Sequence, residues 1–130
     1  KMRDEMKACI EAAIKAMDMA YAPYSNFKVG AALLDEQGRI STGCNVENAS
    51  FGLTICAERN AVAAAVAKGM KKIRLLVVVA SAECFTSPCG ACRQVIAEFA
   101  DEQTRIVLAD HNHNYTETNI RSLLPGAFSL

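Results

Sequence analysis

Residues 73–82, with the sequence IRLLVVVASA, form a nearly continuous run of apolar and β-branched side chains. Such a strand is typical of a sheet buried on both faces, because neither face carries regularly spaced polar residues. Its longest uninterrupted apolar stretch, 75–80, is far shorter than the roughly 20 residues that cross a bilayer. The run therefore predicts a central strand in a sheet that has helices packed on both sides.

The remaining segments contain the elements that this arrangement requires. Apolar residues recur at the helical period in the predicted helices, and Gly69 follows the second of these as a residue that favours a helix C-terminus. The predicted helices cover about 4–20, 56–69 and 88–100, with a last helical segment within 120–128. A β-hairpin is predicted for 28–34 and 39–45, another strand for 105–110, and a short edge strand for 114–119.

The order of these elements predicts an α/β fold, a three-layer α/β/α sandwich with a mixed sheet of about five strands. The strand–helix–strand order from 73–82 to 105–110 predicts a parallel pair joined by a right-handed crossover. A chain of 130 residues is the size of one ordinary domain, so a single domain over 1–130 is expected.

Charge and composition restrict the expected partners. Lys plus Arg and Asp plus Glu number 14 each, so no net positive field favours nucleic acid or an anionic membrane, and neither is expected as a partner. The first twenty residues are amphipathic and lack the order of a signal peptide, which favours a cytoplasmic location. Hydrophobic residues make up 52%, more than a lone domain of this size needs, which indicates a buried subunit interface.

Three of the six cysteines have the spacing of metal ligands. Cys89 and Cys92 are three residues apart at the start of one predicted helix, and Cys56 opens another. Helix N-termini carry partial positive charge, which favours thiolate over thiol. Three thiolates leave one tetrahedral position vacant, and this open count is typical of a catalytic zinc site. The spacing therefore predicts a single Zn²⁺ held by the three cysteines.

Two charged residues follow the first of these cysteines. Glu58 can share the site if it lies with Cys56 in the first helical turn, where its carboxylate would take a proton from water and return it to a leaving group. Arg59 is three residues after Cys56 and on the same helical face, so it can offset thiolate charge through a hydrogen bond to the ligand sulfur.

Each of these interpretations has an alternative. Cys44 or Cys84 can complete four ligands and close the site, which would make it structural, although neither has a second ligand at close spacing. Apart from that role, Cys9, Cys44 and Cys84 are expected to be small, mostly buried apolar residues. Glu58 can instead be a favourable charge at a helix start, with Arg59 as an ion-pair partner. His111 and His113 fall in a polar loop and are expected to be solvated.

The motifs CAE at 56–58 and PCGAC at 88–92 resemble the signature of the zinc nucleoside and base deaminases, a ligand and a glutamate followed by P-C-x-x-C. Within that superfamily, the cysteine first ligand and three further segments are similar to the small homotetrameric cytidine deaminases. The three segments are YSNFKVG at 24–30, NVENASFG at 45–52 and LLPGAF at 123–128. The resemblance covers nearly the whole chain in the same order.

The resemblance implies roles for residues that would otherwise be assigned to turns or packing. It implies that Phe27 packs on the pyrimidine, that Asn45 and Glu47 hydrogen-bond the ribose 3′-hydroxyl, and that the backbone of Ala57 contacts the base. It also implies that a neighbouring subunit supplies an aromatic residue and a loop near the sugar. These correspond to Phe128 and to the loop Ala49–Phe51, where relatives frequently have tyrosine at the position of Phe51.

The implied activity is the hydrolytic deamination of cytidine and 2′-deoxycytidine to the uridine nucleosides in pyrimidine salvage, in a homotetramer whose subunits share active sites. Three alternatives stay open. Deamination of a blasticidin-type nucleoside is disfavoured by the pairing of Asn45 with Glu47, which suits a plain ribose. Polynucleotide editing is disfavoured by the zero net charge. The third is a non-enzymatic, zinc-stabilised interaction domain.

Overall fold

The computed structural model of the chain describes residues 2–82 and 84–130. The helices and strands follow one another in the order that the sequence predicts. In chain order they are α1 (Met2–Asp18), β1 (Val29–Asp35), β2 (Ile40–Cys44), α2 (Ala57–Ala67), β3 (Ile73–Ala80), α3 (Gly90–Phe99), β4 (Arg105–Ala109), β5 (Tyr115–Thr118) and α4 (Ile120–Leu123). A short 3₁₀ helix, Phe51–Leu53, lies in the connection between β2 and α2.

The five strands form one mixed sheet in the order β2-β1-β3-β4-β5. Strand β3 lies at the centre, antiparallel to β1 and parallel to β4, and the outer pairs are antiparallel. Almost every residue of β3 is buried, which matches its lack of a polar face. The predictions of a central strand, a hairpin, a parallel crossover pair and an edge strand are all confirmed.

Helices cover both faces of the sheet. The inner residues of α1, among them Cys9, Ile10 and Ala13, pack on the face that carries Val77 and Val107. Helices α2 and α3 pack on the opposite face, and the short α4 lies against that same cluster. The α/β/α sandwich is therefore confirmed.

Helix α2 lies unusually close to the sheet because Gly43 of β2 has no side chain. A Cβ atom built at Gly43 would collide with the backbone of α2, at the carbonyl oxygen of Ala57 and the amide nitrogen of Ala61. The alanines of α2 permit this approach, since Ala57, Ala61 and Ala65 are all fully buried. The close contact fixes the position of the first turn of α2, where Cys56 and Glu58 lie.

The C-terminus of α2 is held by a turn and by a cation from the hairpin. Gly69 adopts a left-handed conformation with φ of 100°, and the amide of Met70 donates to the carbonyl of Ala65 at 3.0 Å. Arg39 donates from Nη1 to the carbonyl oxygen of Lys68 at 2.6 Å and from Nε to the buried carboxylate of Asp35 at 2.7 Å. Gly69 thus acts as the predicted helix stop.

The main differences from the predicted elements are at helix ends. Helix α1 ends at Asp18 rather than Ala20, because the chain turns so that the amide of Tyr21 donates to the carbonyl of Asn45 at 3.0 Å. The last helix contains only 120–123, and Gly126 takes a positive φ of 66° within the segment that follows it. Within the described part of the chain, no helix combines the length and the hydropathy needed to cross a membrane.

Candidate active site

The starts of α2 and α3 lie side by side near the carboxyl end of β3 and border one cavity. Its volume is about 200 Å³. The lining residues come from the chain before β1, the end of β2, the start of α2 and the loop before α3. They are Phe27, Val29, Asn45, Thr54, Cys56, Ala57, Glu58, Thr86, Ser87 and Cys89.

Three cysteine sulfurs converge at this cavity. Cys56 and Cys89 are the N-cap residues of α2 and α3, and Cys92 lies in the first turn of α3. The three Sγ atoms lie within 4.8 Å of one another, and those of Cys56 and Cys89 are 3.8 Å apart. Zn–S bonds of about 2.3 Å at tetrahedral angles place two sulfurs roughly 3.8 Å apart. The donor set therefore fits one zinc ion in both chemistry and spacing.

The group of potential ligands contains these three cysteines and no fourth residue from the described part of the chain. Cys44 and Cys84 do not join it, so the closed four-cysteine arrangement is not formed. Cys9 is buried as expected, whereas the expectation for Cys44 and Cys84 is wrong, since Cys44 is half-buried and Cys84 is exposed. Cys84 is exposed because it lies in the loop that leaves the sheet after β3.

The local electrostatics favour a thiolate at Cys56. Hydrogen bonds from Cys92, Arg59 and Cys89 lower the pKa of Cys56 to about 5, against the opposing effect of burial. The pKa of Cys92 is raised, first by its hydrogen bond with Cys56 and then by burial, so the proton of the pair stays on Cys92. Metal binding must displace that proton, and metal affinity will therefore depend on pH.

Glu58 and Arg59 lie directly beside the sulfur group. The side chain of Glu58 is buried at the wall of the cavity, and burial raises the pKa of its carboxyl group. Arg59 donates from Nη2 to the Sγ of Cys56 at 3.6 Å and to the carbonyl oxygen of Thr54 at 3.4 Å. A raised pKa makes a buried carboxyl group a better proton acceptor than an exposed one, as a general acid–base group requires.

Asn45 joins the cavity to the segment that carries Phe27. Its Oδ1 accepts from the amide of Val29 at 2.9 Å, and its Nδ2 donates to the carbonyl oxygen of Phe27 at 2.8 Å. These bonds fix the backbone on both sides of Lys28 and therefore the position of the Phe27 ring. They leave one Nδ2 hydrogen and one Oδ1 lone pair of Asn45 for a ligand.

Glu47 lies at a neighbouring cavity of about 380 Å³, which is lined by Tyr24, Ser25, Glu47, Phe51 and Thr54. Thr54 lines both cavities, so the two are adjacent. The carboxylate of Glu47 accepts from the amides of Tyr24 and Ser25 at 3.0 and 3.2 Å and from the Ser25 hydroxyl. These bonds, the one from the Ser25 hydroxyl above all, lower the pKa of Glu47.

The remaining residues singled out by resemblance lie at the surface and are not brought to the sulfur group. Ala49 and Phe51 are exposed, and the Phe51 ring packs edge-on against Tyr24 with centroids 6.0 Å apart. Phe128 is 71% exposed and borders a separate cavity beside Gln94 and Glu98 of α3. Within one chain, Phe128 therefore takes no part in the pocket that contains the cysteines.

Several residues of the site were not identified from the sequence. Thr54, Thr86 and Ser87 line the pocket, and Ser25 contacts Glu47. The sequence carries no signal for them, because small hydroxyl residues in loops are common in any chain. His111 and His113 are exposed, as expected.

Fold and site together define an α/β/α protein with a three-cysteine zinc site that opens on a small, mainly apolar pocket containing a few polar groups. A family model described as the cytidine and deoxycytidylate deaminase zinc-binding region matches residues 3–109. The chain belongs to this family, and the metal that its three cysteines fit is zinc.

Similar proteins include a cytidine deaminase from Sporosarcina psychrophila, 51% identical over 115 residues, which cover 88% of this chain and 85% of that protein. A cytidine deaminase from Halalkalibacterium halodurans is 46% identical over 92% of this chain and 91% of its own length. Among solved structures, the crystal structure of a cytidine deaminase from Burkholderia pseudomallei has a TM-score of 0.88. It is 47% identical, with 94% of this chain and 98% of that chain covered.

Proposed function

We propose that this protein catalyses the hydrolytic deamination of cytidine and 2′-deoxycytidine to uridine and 2′-deoxyuridine, with release of ammonia. The observation that carries the proposal is one pocket that is lined by Cys56, Cys89 and the buried Glu58, with Cys92 completing the group of three sulfurs beside it. The similar proteins named cytidine deaminase support the choice of substrate.

Cys56, Cys89 and Cys92 would hold the metal. When bound there, Zn²⁺ supplies Lewis acidity that promotes ionisation of water and stabilises negative charge on oxygen. Arg59 hydrogen-bonds the Sγ of Cys56 and so reduces the excess negative charge of three thiolates.

Glu58 moves the protons of the reaction. It takes a proton from the attacking water as the oxygen forms a bond to C4 of the pyrimidine, and it delivers that proton to N3. It then transfers the second proton of the water to the amino group, the C4–N bond breaks, and ammonia leaves. The raised pKa of Glu58 suits a group that must accept and donate in the same cycle.

The base and the sugar are held by the residues around the two adjacent cavities. Phe27 packs on the pyrimidine, and the backbone of Ala57 contacts its polar edge. Asn45 and Glu47 hydrogen-bond the 3′-hydroxyl of the sugar. The free hydrogen and lone pair on the Asn45 side chain are compatible with this contact in addition to its two internal bonds.

We propose that the active form is a homotetramer in which Phe128 and the loop Ala49–Phe51 enter the pocket of a neighbouring subunit. Phe51 and Phe128 are highly exposed, although large apolar side chains are normally buried. Tyr21, Val46 and Ile55 are also exposed and lie side by side through isolated β-bridges. Adjacent exposed apolar side chains of this kind are typical of a subunit contact.

A free nucleoside as substrate is consistent with pyrimidine salvage in the cytoplasm.

The test is turnover by purified, zinc-loaded protein, followed by the loss of cytidine absorbance in the ultraviolet and by ammonia release. Cytidine and deoxycytidine should both be consumed, while a blasticidin-type nucleoside and single-stranded polynucleotides should not. Zinc binding without turnover of any free nucleoside would contradict the proposal and favour a zinc-stabilised interaction domain. Turnover of the polynucleotide alone would favour editing.

A further inference from the structure

Arg93 contacts the loop before Cys89 and the end of α4 at the same time. Its Nε donates to the carbonyl oxygen of Pro88 at 2.7 Å, and its Nη2 donates to the Ser87 hydroxyl at 2.9 Å. Its Nη1 donates to the carbonyl oxygen of Leu123 at 2.8 Å. One planar guanidinium group therefore fixes the two residues that immediately precede a zinc ligand.

Within residues 2–82 and 84–130, the hydrogen bonds of Arg93 all go to neutral oxygens. Among the described residues it forms no ion pair, whereas Arg39, Arg74 and Arg105 are each paired with a carboxylate. A guanidinium group that donates only to neutral acceptors acts through geometry, because its rigid fork sets the relative positions of the groups that it binds.

The loop has few other constraints. For residues 84–88 the described hydrogen bonds are the two that Arg93 donates, and no backbone pairing is described for this stretch. Pro88 is fully buried, which anchors the loop at the residue before Cys89. Cys89 itself has an extended conformation as the N-cap of α3, so the position of its sulfur follows the chain that leads into it.

We propose that Arg93 is a positioning residue that sets Cys89 relative to Cys56 and Cys92, and thereby sets the affinity and geometry of the zinc site. The inference rests on the proposed function, since it assumes that the three cysteines hold the metal. Through Leu123, Arg93 also connects the site to the segment that leads to Phe128, whose carbonyl oxygen accepts from Gln94 at 3.4 Å.

The test compares Arg93→Lys with Arg39→Lys. Both variants keep the positive charge but lose a guanidinium contact to a backbone carbonyl, and Arg39 lies at the opposite end of α2 from Cys56. Zinc affinity is measured by competition with a chromophoric chelator, and site geometry by the thiolate-to-metal and d–d absorption bands of the Co²⁺-substituted protein. Arg93→Lys should weaken zinc binding about tenfold and shift the Co²⁺ bands, as is typical for loss of a group that orients a ligand.

Arg39→Lys should lower the melting temperature while zinc affinity and the Co²⁺ spectrum stay at the parent values. Parent-like zinc affinity and Co²⁺ bands in Arg93→Lys would overturn the inference, as would an equal loss of affinity in Arg39→Lys, because either result reduces Arg93 to a general stabilising role.

If Arg93→Lys does not fold, the variant Ser87→Ala tests the inference instead. It removes one acceptor only and should give a smaller loss of affinity in the same direction, and an unchanged affinity would overturn the inference. Failure of the parent protein to bind zinc or deaminate cytidine would instead contradict the proposed function.

Discussion

Arg59 Nη2 lies 3.6 Å from the Sγ of Cys56, one helical turn back along α2. The guanidinium group donates a hydrogen bond to this sulfur, and that bond raises the pKa of Arg59. Of the three cysteine sulfurs, that of Cys56 is the one that the local environment most strongly favours as thiolate. With zinc bound, three thiolates would give the site a formal charge of −1, which would oppose the ionisation of water there. We propose that the guanidinium group of Arg59 would offset part of that charge.

We therefore expect Arg59→Gln to reduce activity or zinc retention by clearly more than the roughly 0.5 kcal/mol typical of a surface substitution. The reason is that glutamine cannot offset thiolate charge, even where its amide reaches the sulfur. The measurement is kcat together with zinc content after dialysis, and Arg3→Gln at an exposed position of α1 is the control. A variant that matches Arg3→Gln in both quantities would show that the contact of Arg59 with Cys56 has no role at the zinc site.

Glu58→Gln should leave zinc and fold intact and lower kcat by about 10²–10⁴-fold, the range typical for loss of a general acid–base group. The substitution is nearly isosteric, and Glu58 does not belong to the group of potential metal ligands. Only proton transfer is therefore removed. Zinc content, the melting temperature and kcat are measured on the same preparation. Turnover near the parent rate would show that Glu58 is not the proton carrier.

Local signals explain why much of this molecule could be predicted from its sequence. The apolar run of β3, the helix stop at Gly69 and the spacing of Cys89 and Cys92 each lie within one short segment. The period or the spacing of such a segment reports its environment directly. The spacing of the cysteines alone left open whether the zinc site is catalytic or structural. The motifs of the resemblance indicated the family.

The unpredicted part consists of contacts between segments that are distant in sequence. Arg93 meets Leu123 thirty residues away, and Asn45 meets Val29 sixteen residues away. Such pairs depend on loop paths and on strand register, which a single sequence does not encode in any periodic form. Gly43 shows the same limit, because its need to be glycine appears only once α2 lies against β2.

Asp35 should control stability independently of the active site. Burial opposes ionisation of this carboxyl group, but hydrogen bonds from the backbone and side chain of Arg39 and from the Gln37 amide lower its pKa overall. Asp35→Asn should therefore reduce the free energy of unfolding by about 2 kcal/mol at pH 7, since bonds to a charged acceptor are lost.

The pH dependence gives this prediction a sign. Because the folded pKa of Asp35 is lowered, its contribution is fully present above the unfolded value of about 3.9 and is lost as pH falls below it. The difference in unfolding free energy between the parent and Asp35→Asn should shrink over that range in urea titrations. Gln37→Ala, which keeps the backbone donor, serves as the control. A difference that grows on acidification would contradict this account.

Phe128→Ala should raise KM for cytidine while zinc content stays unchanged, because the ring is exposed in its own chain and is proposed to complete a neighbouring pocket. Leu130→Ala is a suitable control, since Leu130 is also apolar and fully exposed in the same terminal segment.

The parent should sediment as a tetramer at micromolar concentration, and a shared site links substrate binding to assembly. Mixing Phe128→Ala with Glu58→Gln should restore some sites that combine an intact Glu58 from one subunit with an intact Phe128 from another. A fully active monomer, or parent-like kinetics in Phe128→Ala, would exclude the shared site and leave the roles of Cys56, Cys89, Cys92 and Glu58 untouched.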